Sequence, residues 1–160
     1  MDSRGRVQLH EACVVPIRLT ASGVQFCLVS PMADNRWEFP KTSLDGERAA
    51  LSSALTEAAA AMGLRGQLRH DPPLGHFEAS RGDESRTMTG YLMRVLESAD
   101  VWPRQAAYRR LWCLAEEARV RIRRKPLRRF LDLALHIDET CEHPAVNGKA
   151  TIPISAARSQ

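Results

Sequence analysis

One segment, residues 36–64, combines acidic, basic and small residues in an order that could support phosphate chemistry. Positions 57, 60 and 61 are spaced i, i+3 and i+4, so their side chains would lie on one side of a helix. Three carboxylates there could bind one divalent cation, because magnesium and calcium prefer oxygen ligands. The chain has Glu57, but Ala60 and Ala61 offer no oxygen. These residues therefore predict a metal site with one of three ligands present.

The apolar residues around Glu57 predict the helix that would position it. They recur at helical spacing as Leu51, Leu55, Ala58 and Met62. Gly63 follows, and glycine commonly ends a helix because it adopts left-handed backbone angles at little cost. We predict one amphipathic helix that begins at Glu47 and ends before Gly63, with Glu57 on its polar side.

The segment 36–64 resembles the Nudix box, the sequence signature of the Nudix hydrolases. That box reads G-x5-E-x7-R-E-U-x-E-E-x-G-U, where U is a bulky aliphatic residue, and a W-x-x-P-K/G segment usually precedes it. With the box anchored on its last glycine, Glu57 matches the glutamate of the R-E pair and Thr56 matches its arginine. Ala60 and Ala61 match the E-E pair. The helical frame of the box is therefore present without most of its acidic residues.

The loop before the predicted helix departs from the box as well. Thr42 stands where the box has its first glycine. Glu47 matches the loop glutamate if this loop is one residue shorter than usual, and otherwise Arg48 occupies that position. The resemblance is therefore good in framework and poor in metal ligands.

The likeness covers about residues 10–137 and fits the subgroup that hydrolyses diphosphoinositol polyphosphates and dinucleoside polyphosphates. The segments that carry it occur in the order of that subgroup: EACVVPIRL, VQFCLVS, RWEFP, LGHFEAS, RTMTGYLMRVLES, YRRLWCLAEEA and KP. The resemblance implies a Nudix-type α/β/α sandwich with a mixed, largely antiparallel sheet. Strands covered by helices on both faces give the same fold class from the residue patterns alone.

The resemblance also implies site residues. In the family, the glutamates aligned with Glu57, Ala60 and Ala61 hold divalent metal ions, so Mg or Mn is the implied cofactor. With two of these ligands replaced, we expect Glu57, together with Glu47, to hold at most one ion and to support residual catalysis. Other acids that could supply oxygens, but more often lie on ordinary surfaces, are Glu38, Glu78, Asp83 and Glu84. The expected phosphate-binding residues are Arg18, Arg36, Lys41, Arg86 and Lys125.

Length and composition predict one cytoplasmic domain with no membrane contact. The 160 residues, 44% of them hydrophobic, suffice for one core. We see no run of about 18 apolar residues and no secretory signal. We expect a flexible N-terminus at 1–9, the domain at 10–138, and a disordered or loosely docked tail at 139–160. The four cysteines lack metal or redox spacing, so we expect reduced thiols, with Cys13 and Cys27 in core strands.

Local patterns outside the box predict further elements. Residues 12–30 have the pattern of a β-hairpin with Gly23 in its turn. Residues 74–79 and 86–97 resemble two strands, and the polar SRGDES between them is expected to be a mobile loop. A helix starting near Pro126 would have as its apolar face Leu127, Phe130, Leu131, Ala134 and Leu135.

The net charge of +4 is unevenly distributed, because the basic segment, residues 119–129, holds seven basic residues and no acid. Such a segment favours a polyanionic partner, although a solvated basic face has the same composition. Aromatic residues that could stack on bases are not interleaved along the segment. A compact, phosphate-rich small molecule therefore fits better than a nucleic acid.

Three hypotheses follow from the sequence. The leading one is a Nudix-fold protein that binds a polyphosphorylated small molecule, a nucleoside or inositol polyphosphate, with metal-dependent phosphoanhydride hydrolysis reduced or lost. The first alternative is an active pyrophosphohydrolase of diphosphoinositol or dinucleoside polyphosphates that uses Glu57 and recruited ligands. The second is a nucleic-acid or protein interaction module that uses residues 119–129.

Overall fold

Within residues 7–44 and 51–142, alternating and continuous apolar runs form seven strands, which join in one sheet. The computed structural model describes residues 7–44 and 51–142, except for the side chains of residues 81 and 138–142. The strands are β1 Val7–Thr20, β2 Gly23–Pro31, β3 Lys41–Ser43, β4 Leu64–Arg69, β5 Gly75–Arg81, β6 Glu84–Ser98 and β7 Tyr108–Leu114. The helices within the described residues are α1 Leu51–Ala61, α2 Ala115–Arg121 and α3 Lys125–Glu142.

The sheet is mixed, as the sequence predicted. Its order is β4-β6-β1-β2-β7, with β3 paired to β1 and β5 paired to β6. Strands β1 and β6 run parallel, and the other pairs are antiparallel. Thr20 pairs with Gly23 across the predicted hairpin turn, where Gly23 has a φ of 123°. The largely antiparallel sheet is therefore confirmed.

Helices cover both faces of the sheet. Because side chains alternate along a strand, even-numbered residues of β1 such as Ala12 and Val14 pack under α1, and Cys13 and Val15 pack under α2 and α3. We call these two sides the α1 face and the α3 face. The predicted apolar face of α3 is buried at Phe130 and at three other positions, Leu127, Leu131 and Ala134, and half-buried at Leu135. This arrangement is the predicted α/β/α sandwich.

The buried side of α1 differs from the prediction at one position. Leu55, Ala59 and Met62 are buried, whereas Ala58 is half-buried. A helical spacing of three or four residues fits either Ala58 or Ala59, and the packing of α1 against β1, β3 and β4 buries Ala59. Gly63 ends this turn with a φ of 79°, as expected for a helix-terminating glycine.

The segment SRGDES is not a loop, so that prediction was wrong. Strand β5 continues to Arg81 and β6 begins at Glu84, which leaves a tight turn with Gly82 at a φ of 59°. Polar side chains on exposed strands gave this segment the composition of a loop. Val7–Leu9, placed in the flexible N-terminus, pair with Glu84–Arg86, and α3 extends four residues beyond the expected boundary at 138.

Other expectations concern membranes and cysteines. Within the described residues, the helices are too short or too polar to cross a membrane. Cys13, Cys27 and Cys113 are free thiols, and the first two are core strand residues as predicted. The side chain of Cys141 and the whole of Glu47 lie outside the described residues, so their predictions stay untested.

Candidate functional site

The outer side of α1 presents the residues that match the Nudix box. Glu57 and Thr56 are exposed, while Ala60 and Ala61 are half-buried on the next turn. The helix is fixed by Leu55 and the residues around it, so position 57 projects to solvent and cannot turn into the core. The structure therefore places one carboxylate beside two methyl groups, where the resembled box has three carboxylates.

These donors do not fit the metal site of the resembled family. Within residues 7–44 and 51–142, three or more His, Cys, Asp or Glu side chains come together nowhere in a way that could hold a metal ion. An alanine methyl supplies no lone pair, so Ala60 and Ala61 cannot complete a shell around Glu57. Glu47, the expected second ligand, lies outside the described residues.

Arg36 and Lys41 are brought together by a shared acid, Glu38. Arg36 Nε lies 3.1 Å from Glu38 Oε2, and Lys41 Nζ lies 3.1 Å from Glu38 Oε1. Arg36 also contacts Asp34 at 3.4 Å. Glu38 is only 8% exposed, so water has little access to the two ion pairs that its oxygens form. It holds the two basic side chains in place, and each of its oxygens already has a basic partner.

Backbone pairing fixes this acidic–basic group beside α1. Glu38 pairs with Val29 through backbone hydrogen bonds of 2.8 and 2.9 Å, and Val29 belongs to the core of the α1 face. Lys41 opens β3, which pairs with β1 and packs next to α1. The proline of the Trp-x-x-Pro segment, Pro40, accepts a hydrogen bond from Val14 N at 2.9 Å. Lys41 thus lies on a strand that packs against α1, and Glu38 holds Arg36 beside it.

Arg18 lies elsewhere on the sheet. Its guanidinium carbon is 4.0 Å from the centre of the Trp112 ring, and its Nε donates to Gln25 Oε1 at 2.9 Å. These contacts hold Arg18 flat against the sheet near the end of β1. Lys41 pairs with Cys13, which precedes Arg18 by five residues on β1. The position of Lys41 is therefore about 17 Å along the strand from Arg18.

Arg86 and Lys125 are also distant from Arg18. Arg86 pairs opposite Leu9, about 30 Å along β1 from Arg18, and contacts Glu11 and Glu84, each at 3.4 Å. Lys125 is exposed at the start of α3, on the opposite layer from α1. The structure therefore brings together Arg36 and Lys41 through Glu38, whereas Arg18 and Lys125 lie on other parts of the fold. Arg86 pairs with β1 four residues, or about 13 Å, from the position opposite Lys41.

The remaining acids considered as substitute ligands do not join Glu57. Glu78 is exposed on β5, and Asp83 is exposed in the β5–β6 turn. Glu84 contacts Arg86. The importance of Glu38 had a signal in the sequence, since Arg36 and Lys41 lie two and three residues away from it. No sequence signal indicated that Glu38 is buried, because its burial depends on the backbone pairing with Val29.

The described cysteines are poor nucleophiles. Burial raises the pKa of Cys13 far above its ordinary value, and it raises the pKa of Cys27 to about 12 and of Cys113 to about 11. A thiol reacts as its thiolate, so these groups stay protonated and inert near neutral pH. Their role is to fill the core.

A sandwich in which α1 and α3 cover opposite faces of a mixed sheet, with a Trp-x-x-Pro segment leading into α1, is the fold of the Nudix hydrolases. A solved structure of an Ap4A hydrolase from C. elegans in a binary complex matches with a TM-score of 0.66 at 15% identity, covering 82% of this chain and 98% of that one. A NUDIX hydrolase from Nitrosomonas europaea matches with a TM-score of 0.61 at 12% identity, covering 82% and 90%.

A third similar structure is the Nudix hydrolase RenU from M. smegmatis, with a TM-score of 0.59, 18% identity, and coverage of 82% of this chain and 86% of that one. At the level of sequence, no protein-family model matches the chain. No curated protein matches it either. The comparisons therefore establish the Nudix fold, at no more than 18% identity to these three structures.

Proposed function

We propose that this chain is a Nudix-fold protein that binds a polyphosphorylated small molecule beside α1 and hydrolyses it slowly or not at all. The observation that carries the proposal is the outer side of α1, where Glu57 is exposed next to two alanine methyl groups. Hydrolysis of a phosphoanhydride requires neutralised phosphate charge and an activated water, both of which divalent ions supply. A site with one helical carboxylate binds such ions weakly.

Arg36 and Lys41 supply the binding part of the proposal. Lys41 has three N–H donors and Arg36 has five, and their contacts with Glu38 and Asp34 use only some of them. The spare donors can reach phosphate oxygens without moving the side chains. Because two acids balance these two bases, anion binding here depends on directed hydrogen bonds more than on net charge.

The remaining expectations extend this proposal. A magnesium or manganese ion, if bound, would use Glu57 with Glu47 and the phosphates of the ligand. A nucleoside polyphosphate and an inositol polyphosphate make the same demand on Arg36 and Lys41, and the cytoplasm is the compartment that holds both. Arg18, Arg86 and Lys125 would contribute only to ligands that extend beyond this group.

A ligand panel tests binding. We expect dinucleoside polyphosphates or diphosphoinositols to raise the melting temperature of the full chain, because a ligand that binds only the folded state stabilises it. Lys41→Ala should remove the shift, whereas the control variant Arg65→Ala, at an exposed arginine outside the expected site, should keep it. No shift with any polyphosphate in the wild-type chain would refute the binding proposal.

Phosphate release tests the loss of hydrolysis. If stabilisation by metal ions is worth several kcal/mol, its loss lowers the rate about a thousandfold or more. Rapid release of phosphate that depends on magnesium or manganese and falls in Glu57→Gln would instead support the active pyrophosphohydrolase. The two measurements are independent, so binding without turnover and binding with turnover are distinguished directly.

A further inference from the structure

Two arginine side chains lie over the ring of Trp37, whose indole is part of the core of the α3 face. The guanidinium carbon of Arg109 is 5.2 Å from the ring centre of Trp37, and that of Arg121 is 5.7 Å from it. The indole nitrogen donates to Asn35 Oδ1 at 3.2 Å, which fixes the ring. Arg109 donates to the same oxygen at 3.3 Å. Trp37 is therefore a rigid base on which Arg121 lies.

A pocket of about 300 Å³ opens beside this arrangement. Its lining combines aromatic, aliphatic, amide, acidic and basic groups: Asn35, Trp37, Glu117, Val120, Arg121 and Arg123. Trp37 belongs to the core of the α3 face, while the core under α1 is a separate cluster. The lining of the pocket thus shares no residue with the group formed by Arg36, Glu38 and Lys41.

Arg121 has the geometry of a stacking surface. Its Nε donates to Glu117 Oε2 at 2.8 Å, one helical turn away, and this bond restrains the guanidinium plane near Trp37. The side chain is still 39% exposed. The guanidinium of arginine is planar and stacks on planar rings, which a lysine ammonium cannot do. Val120, which is 79% exposed, adds apolar surface beside it.

The polar groups around Arg121 leave one hydrogen-bond donor and one hydrogen-bond acceptor unused. The oxygen of Asn35 is used by Trp37 and Arg109, which leaves its amide nitrogen as a donor. Glu117 uses one oxygen for Arg121 and keeps the other as an acceptor. A neighbouring donor and acceptor match the edge of a nucleobase, which presents both.

Arg123 supplies an uncompensated positive charge. It is exposed, and within the described part of the chain it has no ion pair, hydrogen bond or ring contact. Arg119, in α2, is instead paired with Asp132 and does not line the pocket. Arginine binds phosphate through two parallel hydrogen bonds, so Arg123 is suited to a phosphate group.

We propose that this pocket binds a nucleoside monophosphate, with the base stacked on Arg121 and the phosphate on Arg123. The volume lies at the lower end of the range for small-molecule sites, which favours one nucleotide unit over a larger ligand. The site lies on the opposite face from Glu57, so it is additional to the polyphosphate site proposed above and does not depend on it.

Calorimetric titration of the full chain with AMP, adenosine and ribose 5-phosphate tests the proposal. We expect AMP to bind at least tenfold more tightly than either fragment, because it alone engages both arginines. Arg123→Ala should weaken AMP at least fivefold and leave adenosine unchanged. Arg121→Lys keeps the positive charge but removes the planar guanidinium on which the base stacks. The variant should therefore bind AMP no more tightly than ribose 5-phosphate. The matched control, Arg119→Ala, should bind AMP like the wild type.

Several results would overturn the proposal. Equal affinities for AMP and ribose 5-phosphate in the wild type would show a simple charge effect. Loss of AMP binding in Lys41→Ala would place the nucleotide at the α1 face instead. A single-stranded oligoadenylate that binds far more tightly than AMP and is weakened by Arg123→Ala would assign the surface to nucleic acid. Arg123 makes no ion pair, hydrogen bond or ring contact among the described residues, so its variant should fold like the wild type, which a melting curve checks.

Discussion

Arg110 of β7 donates a hydrogen bond from Nη1 to the carbonyl of Met62, 2.7 Å away, at the end of α1. Its Nη2 donates to the carbonyl of Ala99, also at 2.7 Å, and its guanidinium lies 5.0 Å from the Trp102 ring centre. The last carbonyls of a helix have no partner within the helix. Arg110 therefore joins the end of α1 to the segment that follows β6, and it fixes the helix that carries Glu57.

Replacing Arg110 should reduce stability markedly. Arg110→Met keeps the length of the side chain but leaves two part-buried carbonyls without their charged donor, so we expect a loss of about 1.5 to 3 kcal/mol in the free energy of unfolding. Urea unfolding measures it. The control is Arg65→Met, since Arg65 is 78% exposed and lies 3.6 Å from Glu97, and it should change stability by less than about 0.5 kcal/mol. Equal effects of the two variants would contradict the bridging role.

Gly63 and Gly82 form a matched pair for a second test. Both have left-handed φ angles, 79° and 59°, so an alanine at either position costs about 1–2 kcal/mol of backbone energy. A Cβ at Gly63 would also lie 2.7 Å from Trp102 Cβ, whereas one at Gly82 would meet no atom within 4 Å. We expect Gly63→Ala to be more destabilising than Gly82→Ala by about 1–3 kcal/mol in thermal or urea unfolding. A smaller loss at Gly63 would mean that α1 and Trp102 do not pack as described.

Cys27 makes stability depend on pH in the alkaline range. Burial raises its pKa from 9.0 to about 12, so above pH 9 the unfolded chain loses this proton while the folded chain keeps it. The folded state then binds more protons, and its stability falls as pH rises, by about 1.4 kcal/mol per pH unit for this one thiol. Below pH 9 the Cys27 thiol is protonated in both states, so this loss of folding stability is absent there.

Cys27→Ala isolates this effect. The variant is less stable at every pH because it leaves a cavity, but its stability should fall less steeply than that of the wild type between pH about 9 and about 11. Urea unfolding at several pH values compares the slopes, and other titrating groups cancel in the difference. Parallel slopes for the two proteins would show that Cys27 ionises normally in the folded chain.

The fold could be predicted from the sequence because its signals are local. The hairpin at Gly23, the helix stop at Gly63 and the apolar face around Phe130 each depend on spacing within one element. The turn around Gly82 was misassigned because exposed strand residues and loop residues are both polar. Composition alone does not distinguish them.

The candidate site was less predictable because its geometry depends on contacts between distant segments. Arg18 was expected to bind phosphate, yet the structure stacks it on Trp112, a residue 94 positions later in the chain. The pocket beside Trp37 combines that loop residue with Arg121 of α2, and their proximity follows from the pairing of β2 with β7. Residue types suggest the chemistry, and only the sheet order determines which groups meet.

Restoring the missing carboxylates tests the register of the Nudix box directly. Ala60 and Ala61 are half-buried on the outer side of α1, next to exposed Glu57, so glutamates at both positions can extend to solvent without disturbing the core. The double variant Ala60→Glu and Ala61→Glu places three carboxylates at i, i+3 and i+4, close enough to bind one ion. We expect magnesium or manganese affinity to rise at least tenfold in calorimetric titration.

The matched control carries glutamine at both positions, which keeps the size of the side chains and removes the charge. It should bind metal no better than the wild type, because neutral amides attract divalent ions far less than carboxylates do. The metal should also stabilise only the glutamate variant against heat, since a bound ligand favours the folded state. If the glutamate and glutamine variants bind metal equally, then these positions do not converge with Glu57, and the alignment of Glu57, Ala60 and Ala61 with the Nudix box is wrong even though the fold is shared.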